Sequence, residues 1–123
     1  DNSWHGLHYL LTGTAWKGDP PHNFLLVGGR DVGLDEVGNS PDRTFSPVET
    51  RAVAAALGGL TDVELRSRFA PAEMMELEIY PEIWDRAPAE DDTLGYLMEH
   101  VGELRRALAG VVARGHGLLV TLT

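Results

Sequence analysis

The sequence contains no cysteine, which excludes disulfide scaffolds, thiolate zinc sites and cysteine nucleophiles. It is also poor in positive charge, because 10 lysines and arginines stand against 19 aspartates and glutamates and leave a formal net charge of −9. A protein this acidic is a poor candidate for binding the phosphate backbone of a nucleic acid. Long apolar runs are missing too: those at positions 24–27 and 118–120 fall far short of the roughly 18 residues that a membrane-spanning helix needs. We therefore expect neither a nucleic-acid partner nor a membrane.

The remaining composition is that of an ordinary globular domain. With 123 residues, of which 43% are hydrophobic and 24% charged, the chain has room for one core and one domain. Two capping boxes, Ser46-Pro47-Val48-Glu49 and Thr61-Asp62-Val63-Glu64, predict helix starts, since each places a hydroxyl at the N-cap and a glutamate three residues later. The complete set of predicted helices is Trp4–Thr12, Pro47–Leu57, Asp62–Phe69, Pro71–Glu76 and Asp92–Arg114.

Short apolar runs between the helices predict a few strands. These are Phe24–Val27, Arg43–Phe45 and Leu118–Leu122, with a further extended stretch at Glu78–Tyr80. Because helices separate the strands, we expect an α+β fold in which helices cover a small sheet. In this fold the long C-terminal helix is followed by a terminal strand.

A stripe of small residues runs along that long helix. Gly95, Gly102 and Ala109 recur every seven residues beside its apolar face, and small side chains let another backbone come close. The pattern favours packing against another helix of the same chain, and a homo-oligomer interface is the alternative.

Two histidines, His5 and His8, lie three residues apart on the first predicted helix. Both could approach one metal ion, but a zinc site needs four ligands and the sequence offers only weak further candidates. We therefore expect no metal and no cofactor, with His8 at the edge of the core and bonded to a backbone carbonyl. Because no nucleophile elbow and no phosphate-binding glycine motif occurs, we assign no catalytic residue and favour a binding protein over an enzyme.

Negative charge is concentrated in residues 73–103. That window holds ten acidic residues and one base, Arg86, whereas nine acids and nine bases balance over the rest of the chain. It also contains Trp84, and an exposed aromatic side chain rimmed by Glu90, Asp91 and Asp92 would suit a basic protein partner. The alternative is an ordinary solvated face, which is the usual explanation of a charge run.

Two segments resemble signatures of the YfbM-like family of bacterial proteins of unknown function. The first is DNSWHGLHYLLTGTA at positions 1–15; the second combines LRSRF at 65–69 with EIYP at 78–81. The resemblance extends over essentially the whole chain and implies a single YfbM-like α+β domain at 1–123, cytoplasmic, with an N-terminal segment missing before Asp1. It implies no activity, cofactor or catalytic residue.

Two hypotheses follow from these observations. In the first, the protein is a non-enzymatic protein-binding module of the immunity or inhibitor kind. In the second, it is a small-molecule-binding protein or enzyme with a pocket around Trp4, His5, His8 and Tyr80, which requires a contact between the first helix and Glu78 or Tyr80. The candidate ligand- or partner-binding residues are His5, His8, Thr12, Glu78, Tyr80, Trp84, Glu90, Asp91 and Asp92.

Overall fold

The computed structural model describes residues 3–32, 42–87 and 89–122. Within these ranges the elements follow in the order α1 (Trp4–Thr12), β1 (Arg30–Val32), β2 (Asp42–Phe45), α2 (Pro47–Gly58), α3 (Asp62–Arg68), α4 (Pro71–Glu76), α5 (Thr93–Ala113) and β3 (Leu118–Val120). The fold is α+β, as the sequence predicts, with the long C-terminal helix followed by a terminal strand. In the described ranges every helix is too short or too polar to cross a lipid bilayer.

The described strands form an antiparallel sheet in the order β1-β2-β3. Thr44 of the central strand pairs with Arg30 on one side and with Leu119 on the other. Side chains alternate between the two faces of a strand, so Arg43 and Phe45 share a face, and both are buried. A charged side chain therefore points into the interior from the middle of the sheet.

Both predicted capping boxes are confirmed. The Ser46 hydroxyl accepts a hydrogen bond from the Glu49 amide at 3.1 Å, and the Glu49 carboxylate accepts one from the Ser46 amide at 2.9 Å. Thr61 and Glu64 make the same reciprocal pair at the start of α3. Each box satisfies backbone donors that a helix start leaves without partners, which is why the helix starts were predictable from sequence.

Helix α1 is the centre of the hydrophobic core. Its residues are buried from His5 to Leu11, and it packs against α3 and α5. At Gly6 the approach is so close that an added Cβ would lie 2.7 Å from Cη2 of Trp84 and 2.9 Å from Cδ2 of Leu97. Arg68 caps the other end of α1, because its Nη1 donates to the carbonyl oxygens of Leu10 and Leu11.

The predicted strand at Phe24–Val27 is wrong. This segment makes local turns, in which the Leu26 and Val27 amides donate to the Asn23 carbonyl at 3.1 and 3.0 Å. These bonds satisfy the backbone without a partner strand, and Phe24 and Leu25 still reach the core. A four-residue apolar run is compatible with either a buried strand or a buried turn, and periodicity does not separate them.

The predicted extended stretch at Glu78–Tyr80 is also wrong, because the chain reverses there. Glu78 has a left-handed backbone with φ 55°, the Ile79 amide donates to the Met74 carbonyl, and the Glu78 amide donates to the Met75 carbonyl. This is a Schellman motif at the end of α4, and the buried pair Ile79 and Met74 supplies its usual apolar contact. The sequence hides it because a glutamate occupies the position where glycine is usual.

The stripe of small residues on α5 lies mostly against side chains of α5 itself. A Cβ at Gly95 would meet the side chain of Asp92, and one at Gly102 would meet the side chain of Arg106. A Cβ at Gly102 would meet nothing nearer than this side chain of α5 itself, and Ala109 is exposed, so the expected close packing against another helix is wrong at these two positions.

Candidate functional site

His5 joins three separate segments of the chain. Its Nε2 lies 2.9 Å from the Ala15 carbonyl oxygen, and its Nδ1 accepts a hydrogen bond from the Tyr80 amide at 2.9 Å. Since an amide only donates and a carbonyl only accepts, the ring is the neutral tautomer with its proton on Nε2. Burial lowers the pKa of His5, partly opposed by the Ala15 carbonyl. The expected contact between the first helix and Tyr80 is therefore confirmed.

Aromatic rings surround His5 on its outer side. Trp4 stacks on the His5 ring with centroids 5.1 Å apart, and Trp16 lies 4.2 Å from it. Tyr80 stacks on Trp4 at 6.3 Å. Trp16 is 59% exposed and Tyr80 48% exposed, so the cluster presents flat apolar surface to solvent.

His8 and Thr12 point elsewhere. His8 is fully buried, so its expected place at the edge of the core is wrong, and its ring nitrogens make no hydrogen bond of good geometry within the described ranges. Burial lowers the pKa of His8, opposed by the Lys17 backbone, and nearby His5 lowers it further. The Thr12 hydroxyl donates to the His8 carbonyl at 2.8 Å and belongs to the end of α1.

A cavity of about 640 Å³ lies between α4 and the start of α5. We call it the acidic groove, defined by Phe69, Pro71, Ala72, Met75, Trp84, Asp85, Arg86, Ala87, Asp91, Asp92, Thr93 and Leu94. Its wall is largely apolar, whereas its charged groups are three aspartates and one arginine. The groove is therefore an apolar surface with net negative charge around it.

Trp84 is not the exposed aromatic residue that the sequence suggested. It is 1% exposed, and its Nε1 donates to the Ile79 carbonyl at 2.7 Å. The reason is that Gly6 leaves room for the Trp84 ring against α1, so the ring is drawn into the core and only contributes to the groove wall.

The three acids expected beside Trp84 have different surroundings. Asp91 pairs with Arg86 at 3.2 Å, and Asp92 caps α5 by accepting from the Gly95 amide at 2.9 Å. Glu90 is exposed and does not line the groove, and neither does Glu78. Of the predicted acidic site residues, Asp91 and Asp92 are thus the two that share a cavity.

A second cavity, of about 370 Å³, reaches the aromatic cluster. We call it the aromatic pocket, defined by Trp4, Trp16, Leu26, Val27, Asp31, Arg43 and Leu122. Of the predicted pocket residues it includes Trp4 but not His5, His8 or Tyr80. Trp16, Asp31 and Arg43 were missed; an arginine two residues before Phe45 in a predicted strand was the available signal for a charge on the buried face.

Neither a group of metal ligands nor a free ring nitrogen on His5 is found among the described residues. Within the described ranges no three histidine, aspartate or glutamate side chains gather so as to hold a metal ion. His5 already uses both ring nitrogens on backbone groups, so it has no free base to activate a nucleophile.

These features define a small α+β domain with an acidic groove and an aromatic pocket. The chain belongs to the DUF1877 family, a domain of unknown function whose model matches residues 1–121. It is also similar to the crystal structure of YfbM, a protein of unknown function from Escherichia coli. The two share 26% sequence identity and a TM-score of 0.75 over 97% of this chain and 75% of that one. No curated protein matches the sequence. The resemblance to the YfbM-like family is therefore confirmed.

Proposed function

We propose that this protein is a non-enzymatic protein-binding module of the inhibitor or immunity kind. Its partner would present a basic segment, with lysine or arginine on both sides of an apolar side chain. The observation that carries the proposal is the acidic groove, which combines an apolar wall with Asp85, Asp91 and Asp92. An apolar side chain would fill such a groove, and the flanking cations would face its carboxylates.

The charge of the surrounding surface supports the same partner. Residues 73–103 hold ten acids and one arginine, and the groove draws its charged residues from this window. A one-sided negative field of this kind accelerates encounter with a basic partner. Asp91 is partly neutralised by Arg86, so Asp85 and Asp92 would carry most of the attraction.

The proposal is tested with synthetic peptides of about a dozen residues that place leucine or phenylalanine between lysines. Binding is followed by backbone amide shifts in NMR spectra. We expect saturable shifts that map to Met75, Asp85 and Leu94, and an affinity that falls steeply between low salt and 1 M salt, where the screening length is about 3 Å. A peptide with glutamates in place of the lysines should not bind.

A matched pair of variants separates the groove from general surface charge. Ala72 lines the groove, whereas Ala107 is an exposed position of α5 that does not. Ala72→Arg adds one positive charge and fills the groove, so it should weaken peptide binding by about tenfold or more, equivalent to at least about 1.4 kcal/mol. Ala107→Arg adds the same charge and should leave the affinity within about twofold. Equal effects of the two substitutions on peptide affinity would contradict binding at the acidic groove. Chemical-shift changes spread over the whole surface would contradict it too.

A further inference from the structure

Arg43 is the most unusual charged residue in the described ranges. Its side chain is 7% exposed, its Nη1 donates to the Gly28 carbonyl at 3.1 Å, and its Nη2 donates to the Leu25 carbonyl. No described carboxylate lies within salt-bridge distance of its guanidinium. A buried cation whose hydrogen-bond partners are neutral carbonyls is costly, because burial removes the hydration that stabilises the charge.

The Arg43 guanidinium also has N–H groups without a hydrogen-bond partner among the described residues. It carries five N–H groups, and the two carbonyl bonds occupy two of them. Arg43 lines the aromatic pocket, so part of its donor capacity adjoins an open cavity. A planar fork of donors is the group that proteins use for carboxylates.

A carboxylate, that of Asp31, belongs to the strand paired with that of Arg43. Asp31 is the register partner of Arg43 across β1 and β2, and it lines the same cavity. Its charge favours the protonated guanidinium of Arg43, but the two side chains do not form an ion pair. The pocket therefore offers one cationic and one anionic group on neighbouring strands.

Two tryptophan side chains also line the pocket. The rings of Trp4 and Trp16 have centroids 6.2 Å apart and are inclined at 51°, so they contact each other and form one aromatic wall. Trp16 is 59% exposed even though it is a large apolar side chain. An exposed aromatic surface beside polar groups is typical of a binding site for a small ligand.

We infer that the aromatic pocket binds a free α-amino acid with a flat apolar side chain. The ligand's carboxylate would meet Arg43, its ammonium group would meet Asp31, and its side chain would stack on the exposed face of Trp16 beside Trp4. A simple organic acid would leave Asp31 facing a carboxylate, whereas a zwitterion pairs both charges. The volume of about 370 Å³ is within the range of pockets for small molecules.

The C-terminus of a peptide offers the same carboxylate but has no α-ammonium group on its last residue. Three probes separate the two sources: L-phenylalanine, L-phenylalaninamide and N-acetyl-L-phenylalanine. We expect L-phenylalanine to bind saturably and each blocked derivative to bind at least about tenfold more weakly, since each leaves one charged group of the pocket without its partner.

The three tryptophans provide the readout, because each indole N–H gives its own NMR signal. L-Phenylalanine should shift the signals of Trp4 and Trp16 and leave that of Trp84, which is bonded to the Ile79 carbonyl away from the pocket. An unsaturable titration, or a shift confined to Trp84, would overturn the inference. So would equal binding of the N-acetyl derivative, which would instead indicate a peptide C-terminus.

Variants at exposed positions test the pocket without endangering the fold. Trp16→Ala should weaken binding about tenfold or more, whereas Lys17→Ala, the next exposed residue outside the pocket, should not change it. Asp31→Asn should abolish the preference for L-phenylalanine over its N-acetyl derivative, and Asp19→Asn should preserve it. If Trp16→Ala and Lys17→Ala have equal effects while the Trp84 signal shows an intact fold, the inference fails. The binding of basic peptides to the acidic groove is measured separately. The protein-binding function and the amino-acid site can therefore each fail without the other.

Discussion

His5 occupies a place in which only a neutral imidazole satisfies both of its neighbours. Protonation of Nδ1 would turn its acceptor into a donor that faces the Tyr80 N–H, while the Ala15 carbonyl keeps Nε2 protonated. Because burial also lowers the pKa of His5, the unfolded chain binds more protons than the folded one at mildly acidic pH. The stability that this neutral ring contributes is complete above the unfolded pKa of about 6.5 and is lost as pH falls towards the folded pKa.

We therefore predict that the free energy of unfolding decreases as pH falls from 7.5 to 5. His5→Phe keeps a ring in the aromatic cluster but leaves the Tyr80 N–H and the Ala15 carbonyl without their partner, so it should cost about 1–3 kcal/mol at pH 7.5. It should also reduce the slope of stability against pH. Urea unfolding at several pH values measures both quantities. His116→Phe, at an exposed position, is the control, and an unchanged slope in His5→Phe would contradict the prediction.

The packing of Trp84 and Leu97 against α1 depends on the absence of a side chain at Gly6. We predict that Gly6→Ala lowers the free energy of unfolding by about 1–3 kcal/mol, because its Cβ would clash with Trp84 and Leu97. This loss would outweigh the gain of about 0.5–1 kcal/mol that alanine usually brings to a helix. Urea midpoints with an unchanged m-value provide the measurement.

Gly58→Ala is the matched control for this substitution. Gly58 ends α2, and a Cβ there would meet nothing within 4 Å. The change should leave stability unaltered or raise it by a few tenths of a kcal/mol, up to about 1 kcal/mol. Equal effects at Gly6 and Gly58 would show that the Trp84 ring can move aside.

At the scale of the element, the end of α4 is the feature that deviates most from its sequence signals. Glu78 adopts φ 55°, a conformation that is costly for residues other than glycine. The Schellman hydrogen bonds and the burial of Ile79 hold it there. This turn places the Tyr80 amide against His5, so a strained residue supports the contact between α1 and the segment after α4.

We predict that Glu78→Gly raises the free energy of unfolding by about 0.5–1 kcal/mol, because glycine adopts the left-handed conformation without a steric penalty. Glu76→Gly, two residues earlier in the last turn of α4, should lower it by about 0.5–1 kcal/mol, since glycine weakens a helix. Chemical denaturation of the two variants checks the opposite signs. If both substitutions lower the free energy of unfolding, relief of backbone strain is not the main effect of Glu78→Gly.

At the scale of the whole molecule, charge is distributed unevenly. The excess of nine negative charges in residues 73–103 equals the net charge of the chain, so the remainder is balanced. Like charges concentrated on part of a surface repel one another and disfavour the compact state, and salt weakens this repulsion.

We predict that Glu99→Lys raises the melting temperature by about 1–2 °C at low salt, because it replaces a repelling charge in this window and places a cation four residues before Glu103. Asp19→Lys makes the same change in charge at an exposed position outside the window and should raise it less. The difference between the two variants should disappear in 1 M salt. If the difference in melting temperature between the two variants persists in 1 M salt, side-chain packing rather than charge repulsion causes it.

Local sequence patterns predict those features of this protein that depend on neighbours along the chain. The helix starts at Ser46 and Thr61 follow from side chains three residues apart, and the strand at Arg43–Phe45 and the long apolar helix were predicted close to their observed bounds. The α+β class follows from the order of these elements. The contact between α1 and Tyr80 was also predicted, although as the wall of a pocket that contains His8.

Features that depend on groups far apart in the chain follow from tertiary packing instead. Whether Trp84 is a surface residue or a core residue depends on the space that Gly6 leaves 78 positions earlier. Phe24 and Leu25 reach the core from a local turn in which the Asn23 carbonyl accepts from the Leu26 and Val27 amides, and Arg43 lines a cavity with Trp4 because the central strand turns it inward. Burial and cavity shape arise from packing between segments that are distant in sequence. Short-range sequence patterns do not report on that packing.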